Sequence, residues 1–218
     1  KKTLLFIAFA LSFTNAFSQA TVTPSGNVYV CDPPASIVIT ANAANAVTFL
    51  WSNGSTDQSI TVTTTGQYYC TVSDNIGGIF NTDTANVTIV SLSFNLIGIT
   101  NVVCNGNANG SIEVVATGGT GSYTYELLGF PPAQPSGLFT GLSGAVYNIK
   151  VTDLVAGCSY TQSYNVTEPQ NLILPYVSSD VFCNGYAAGS IDLQPSGGTQ
   201  PYTYQWSNGS TDEDQLNL

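Results

Sequence analysis

The chain has 218 residues, 43% of them hydrophobic and only 7% charged, with 13 acids against 3 Lys+Arg and neither His nor Met. Two of the bases are Lys1 and Lys2, so residues 21–218 keep Lys150 alone against all 13 acids. That balance argues against binding nucleic acid or anionic lipid, and the lack of His removes the commonest general base and metal ligand.

Taken in chain order, the first segment reads as an export signal. Lys1-Lys2 precede an apolar run over 4–13, and Ser18 and Ala20 fit the small positions before a cleavage site. The run is about half the length of a membrane-crossing helix. Residues 1–20 are therefore expected to be a removable signal peptide, with no membrane insertion of the mature chain. Export makes Cys31, Cys70, Cys104, Cys158 and Cys183 readable as disulfide formers.

Residues 21–91 read as short strands at 36–40, 47–51, 59–63, 67–73 and 85–90, rich in Val, Ile, Thr and Tyr. Turn formers such as Asn53-Gly54, Thr65-Gly66 and Gly77-Gly78 separate them. Cys31, Trp51 and Cys70 follow the immunoglobulin order Cys…Trp…Cys, and Tyr68, two residues before Cys70, resembles a tyrosine corner. The resemblance implies an immunoglobulin-like β-sandwich with a Cys31–Cys70 bridge. Cys31 precedes the 36–40 strand rather than lying inside it, so the bridge is expected to staple the edge of the sandwich.

The rest of the chain repeats itself. Residues 104–125 recur at 183–204, an offset of 79, with 13 of 22 positions identical and no gap. Trp51-Ser-Asn-Gly-Ser-Thr-Asp57 recurs letter for letter from Trp206 to Asp212. A fixed offset of this size signals tandem domains. Ile112-Glu113-Val114 and Ile191-Asp192-Leu193 alternate with period two, as do Tyr123/Tyr125 and Tyr202/Tyr204/Trp206, so these segments are expected to be strands. The predicted fold class is all-β, with tandem immunoglobulin-like β-sandwich domains. The predicted units are 21–91, 92–169 and 170–218. Cys104 is expected to pair with Cys158, the latter lying past the hairpin turn that follows Asp153. The second copy stops at Leu218, so the partner of Cys183 is expected beyond it.

Several ordered motifs in these two copies resemble the SprB-type repeat of bacterial cell-surface proteins: Cys104-Asn105-Gly106, Gly110-Ser111-Ile112, Gly118-Gly119-Thr120, Tyr123-Thr124-Tyr125, Val151-Thr152-Asp153, Gly157-Cys158 and Thr167-Glu168-Pro169. The second copy matches from Cys183 through Trp206-Ser-Asn-Gly, and the insert at 127–138 departs from it. The resemblance implies a long protein exported by type IX secretion through a C-terminal domain not in these residues, displayed at the cell surface or released. It also implies a non-enzymatic adhesin or stalk, gliding motility being the role of the namesake. The expected partners are other surface proteins or glycans, or further copies of the chain.

Candidate sites are few. Asp212-Glu213-Asp214 forms the sole acidic cluster and lacks the spacing of a calcium loop, while Asp74 and Asp153 read as turn-capping residues. No cofactor is expected, and calcium is the one left open. Glu113 and Glu126 are the only pair resembling glycosidase acids, and Glu113 alternates with core residues, so it reads as solvent-facing. Asp83-Thr84-Ala85 resembles the O-glycosylation acceptor of such bacteria, placing a modification at Thr84. Three rival readings stay open: accessory domains of a larger secreted enzyme, a subunit of an extracellular fibre, and a carbohydrate-binding module using the Tyr and Trp stripes.

Overall fold

The computed structural model describes residues 20–32, 35–182, 185 and 187–218. The expected signal peptide, apart from Ala20, and Cys183 lie outside the described residues. Every regular element among those described is a β-strand. The chain divides into two compact units, Lys1–Val90 and Ser91–Leu218.

The first unit holds β1 (Thr21–Thr23), β2 (Gly26–Cys31), β3 (Ile37–Asn42), β4 (Ala46–Trp51), β5 (Ser59–Val62), β6 (Gly66–Tyr68), β7 (Cys70–Asp74), β8 (Ile79–Asn81) and β9 (Ala85–Val90). One layer is the antiparallel sheet β1-β3-β5. The other combines β4-β7-β8 with β2-β9-β6, β2 running parallel to β9. Only Tyr69 separates β6 from β7, and Thr82 joins the two halves of this layer. Its N–H donates to the Cys70 carbonyl at 2.9 Å, and its hydroxyl accepts from the Cys70 N–H at 2.9 Å. A side-chain oxygen thus satisfies a backbone donor that the ladder would otherwise leave bare.

Period-two burial builds the core between the layers. Ile39 and Ala41 of β3, Ile60 and Val62 of β5, and Cys70 and Val72 of β7 point inward, and Trp51 packs among them. The same parity overturns the expected Cys31–Cys70 bridge. Val30 faces the core, so its neighbour Cys31 faces out, whereas Cys70 is fully buried with a free thiol. The inward positions of β3 that face this core are filled by Ile39 and Ala41 rather than by a cysteine.

The second unit continues with β10 (Leu92–Thr100), β11 (Gly110–Gly118), β12 (Tyr123–Leu127), β13 (Phe130–Gln134), β14 (Leu138–Leu142), β15 (Ala145–Asp153) and β16 (Ser159–Val166). Sheet β10-β11-β14 and sheet β13-β12-β15-β16 enclose a core centred on Ile112, Ile149 and Val151, each with no exposed surface. The 127–138 insert folds as the hairpin β12–β13 with β14 following it. The expected Cys104–Cys158 bridge is also absent. Cys104 is a free, exposed thiol in the loop after β10, while Cys158 is buried just before β16. Cys31 and Cys158 are each disulfide-bonded.

Residues 170–218 contribute β17 (Tyr176–Ser179), β18 (Ser190–Leu193) and β19 (Gln215–Leu216). Their order β17-β18-β19 reproduces β10-β11-β14, with β18 at the repeat offset of 79 from β11 and β19 at 76 from β14. Ile191 pairs with Gln215 as Ile112 pairs with Phe139, and Gly189 pairs with Leu218 as Gly110 does with Leu142. Asn217 takes the left-handed φ of +59° where Gly141 has +73°. The segment 202–206, expected as a strand, has no strand partner among the described residues, although its burial alternates residue by residue.

Candidate functional site

Two sites recur in both units. The first is the tryptophan loop. Trp51 Nε1 donates to the Asp57 carbonyl at 2.7 Å, and Trp206 Nε1 to the Asp212 carbonyl at 2.8 Å. Trp51 N–H bonds Ser55 O at 2.8 Å and Trp206 N–H bonds Ser210 O at 2.9 Å, with Gly54 and Gly209 both at φ +88°. Asn53 and Asn208 accept from the serine N–H two residues on, at 3.1 and 3.0 Å. Seven identical letters therefore fold into one closed loop twice. Trp51 is buried and Trp206 is half-buried, so the loop does not depend on what covers the ring.

The second is the aspartate that ends the strand after the tyrosine corner. Asp74 Oδ1 accepts from the N–H groups of Ile76 at 3.0 Å and Gly78 at 2.7 Å, the turn-capping role read from sequence. Asp153 does more. Its Oδ1 accepts from Val155 and Ala156 N–H, both at 2.9 Å, and from the Thr120 hydroxyl at 2.7 Å. Its Oδ2 accepts from the Thr120 N–H at 2.5 Å. The side chain is fully buried. Burial pushes its pKa up, but the donors from Ala156, Thr120 and Val155 outweigh burial and hold it at about 2. The carboxylate thus joins the Gly118-Gly119-Thr120 turn to the hairpin between β15 and β16.

The remaining candidates separate. Tyr125 is buried, its hydroxyl accepting from the Ala116 N–H at 3.0 Å, and Tyr123 donates to the Gly118 carbonyl, so this stripe is core. Tyr202 makes the matching bond to Gly197. Glu113 is exposed on β11, while Glu126 on β12 lies opposite Lys150 at 3.8 Å, so the two acids sit in different sheets. Asp214 accepts from the Leu193 N–H of β18 at 3.0 Å, and Asp212 from the Ser210 hydroxyl of its own loop at 3.1 Å, so the acidic stretch is tied down by protein donors. Among the described residues no group of three His, Cys, Asp or Glu is placed to hold a metal ion. Thr84 is half-exposed at the break between β8 and β9.

Two surfaces could meet a partner. In the 92–169 sandwich the insert builds an open hollow of about 350 Å³ lined by Phe130, Pro132, Gln134, Thr140 and Tyr147 among others. Phe130 is 60% exposed, its ring 6.0 Å from that of Tyr147. No sequence signal marked Phe130, because the prolines beside it obscure the strand. The other surface lies along 202–206, where hollows of about 330 and 300 Å³ adjoin at Leu174, Thr203 and Tyr204.

Comparison with known proteins agrees with the repeats. Residues 97–130 and 176–211 match the family model of the SprB repeat. No curated protein matches the chain. Similar solved structures include the N-terminal eight Ig domains of Down Syndrome Cell Adhesion Molecule, 10% identical over 86% of this chain and 29% of that one, TM-score 0.49. Three N-terminal domains of the bacteriophage RB49 Highly Immunogenic Outer Capsid protein are 13% identical over 92% and 79%, TM-score 0.40. Extracellular domains 3–5 of Drosophila OTK are 9% identical over 93% and 88%, TM-score 0.28. The chain spans 29% of the length of the first of these.

Proposed function

For a chain that carries two SprB repeats and folds as all-β immunoglobulin-like sandwiches, we propose a non-enzymatic role as an exported, surface-displayed stalk or adhesin. The observation that carries this reading is the fastened joint after the 92–169 sandwich. Thr167 N–H donates to Asn101 Oδ1 at 3.0 Å, and the Thr167 carbonyl accepts from Val102 N–H at 2.9 Å. Pro169 O accepts from Asn105 Nδ2 at 3.0 Å. Thr199 Oγ1 of the following repeat donates to the Val103 carbonyl. A joint held on several sides, with proline restricting the chain, suits a stiff spacer more than a hinge.

Repeated domains multiply weak contacts, which favours adhesion through avidity. Sparse charge, most of it acidic, suits a solvated extracellular spacer. Type IX export and gliding motility are the finer parts of the proposal and rest on the SprB resemblance. Other surface proteins or glycans are the partners that fit. Thr84, half-exposed, fits an O-glycan acceptor.

Antibody labelling of intact cells, paired with attachment of beads coated with the chain, tests the reading. Surface labelling and attachment that grows with coating density support it. A chain confined to the cell interior, or beads that never attach at any density, would sink it.

A further inference from the structure

The insert at 127–138 sets the first repeat apart, since the second copy carries the tryptophan loop there. Segments that vary on a shared scaffold are where binding residues gather. The insert puts β13 at the edge of one sheet and leads into β14 at the edge of the other, and both line the hollow of about 350 Å³. Phe130, Pro132 and Gln134 are two residues apart, so one face of β13 supplies its wall. The Phe130 ring is mostly exposed yet rests beside that of Tyr147, which supports it as a flat apolar platform. The polar groups are also anchored. Gln134 donates from Nε2 to the carbonyls of Ser136 and Leu138 at 2.7 and 2.8 Å. With both amide hydrogens engaged, its Oε1 is left as an acceptor. Ser143 Oγ lies 3.2 Å from the Tyr147 hydroxyl, and Thr140 adds an exposed hydroxyl. None of the described residues lining the hollow is charged. Lys150, the one base after residue 20, faces Glu126 at 3.8 Å instead.

We infer that this hollow is a binding site for neutral carbohydrate, with the apolar face of a pyranose ring on Phe130 and its hydroxyls towards Gln134, Thr140 and Ser143. The inference rests on the adhesin reading and narrows the partner to a glycan. Three observations select that occupant. A pyranose has a C–H face for an aromatic ring and a rim of hydroxyls for amide and hydroxyl partners, and the hollow offers both kinds of group. An anionic sugar would meet no cation there and a chain of net charge −10 around it. A polypeptide strand is disfavoured, because Pro131 and Pro132 take main-chain donors away from the edge strand β13. The volume stands at the small end of ligand sites, which suits a short stretch of sugar rather than a folded partner.

The probes are neutral oligosaccharides of glucose, mannose, galactose and N-acetylglucosamine, with oligogalacturonate as the anionic control, titrated into the full chain. Amide shift changes by NMR map where each one binds. Saturable shifts at 130–143 with a neutral sugar, and none with oligogalacturonate, support the site. Phe130→Ala should weaken that binding about tenfold, the worth of one aromatic contact. Phe130→Tyr, which keeps the ring, should restore it. Thr140→Val should weaken it about threefold, the worth of one hydrogen bond. The proposal is overturned if no neutral sugar shifts 130–143, if the shifts fall only elsewhere, or if Phe130→Ala binds as well as the parent chain. Equal binding of oligogalacturonate overturns it too. So does a proline-rich peptide that shifts 130–143 where no sugar does, or shifts there that grow with protein concentration alone, which would make the occupant a second copy. Coated beads that attach while no sugar shifts 130–143 sink this site and leave the adhesin reading standing. A sugar bound at 130–143 by a chain whose beads never attach supports the site and sinks that reading.

Discussion

The Tyr147 hydroxyl donates to the Ser143 carbonyl at 3.1 Å, across the corner that leads into β15. Tyr68 makes the same bond to the Thr64 carbonyl at 3.0 Å. Both rings are buried, so each hydroxyl ties a loop to the core from inside. Removing one such bond while keeping the ring costs about 1 kcal/mol. Tyr147→Phe and Tyr68→Phe are each expected to lower stability by about that much in urea unfolding. The two losses should add, because the corners belong to separate units. An unchanged midpoint in either variant would show that its corner is ornamental.

Asp153 sets an acid limit. Its folded pKa of about 2 lies below the ordinary 3.8, so the stability it supplies is fully present above about pH 4 and disappears as pH falls towards 2. A shift of that size corresponds to about 2 kcal/mol at neutral pH. Asp153→Asn is expected to lose roughly this amount at pH 7 and to show a flatter pH profile between 4 and 2. Parallel profiles for the two proteins would contradict the assignment.

Thiol chemistry separates the cysteines. Cys104 is exposed, whereas burial pushes the Cys70 thiol pKa up, which keeps it protonated as well as covered. A thiol reagent should modify Cys104 in the native protein and reach Cys70 only after unfolding. Cys31 and Cys158 should react only after reduction. Peptide mapping of the labelled protein checks all four at once, and early modification of Cys70 would count against a packed core there.

Tyr164 on β16 has a buried hydroxyl without a hydrogen-bond partner among the described residues, and burial raises its pKa, with a further contribution from Tyr160. A buried polar group without a partner costs about 1–3 kcal/mol. Tyr164→Phe is therefore expected to leave stability unchanged or raise it by about 1 kcal/mol, the reverse of the corner tyrosines. Thermal unfolding of the three Tyr→Phe variants side by side tests the sign.

Much of this was readable in the letters. The 79-residue offset foretold that β18 would repeat β11, and the duplicated tryptophan segment foretold a duplicated loop. The corner tyrosine Tyr68 and the turn-capping bonds of Asp74 and Asp153 followed from local spacing, since those partners lie within a few residues, whereas the bonds from Thr120 to Asp153, 33 residues apart, did not. The cysteine pairing failed because order along the chain says nothing of which face a side chain takes. The alternation of Val28, Val30 and Cys31 carried that information. Strand β10 was missed because a bulge between Leu96 and Gly98 breaks its period. Strand β13 was missed because Pro131 and Pro132 argue against a central strand; it lies at the edge of its sheet, where proline is tolerated. The pattern at 202–206 identified a face correctly and a ladder wrongly, because alternation specifies orientation but not the neighbour that completes the hydrogen bonds.

The tryptophan loop closes almost entirely on its own hydrogen bonds, in two settings that bury its ring to different depths. A cassette of that kind is portable. Its coding segment can be exchanged between modules by recombination without re-optimising the surroundings, which would keep seven consecutive letters identical in modules whose other residues have drifted apart.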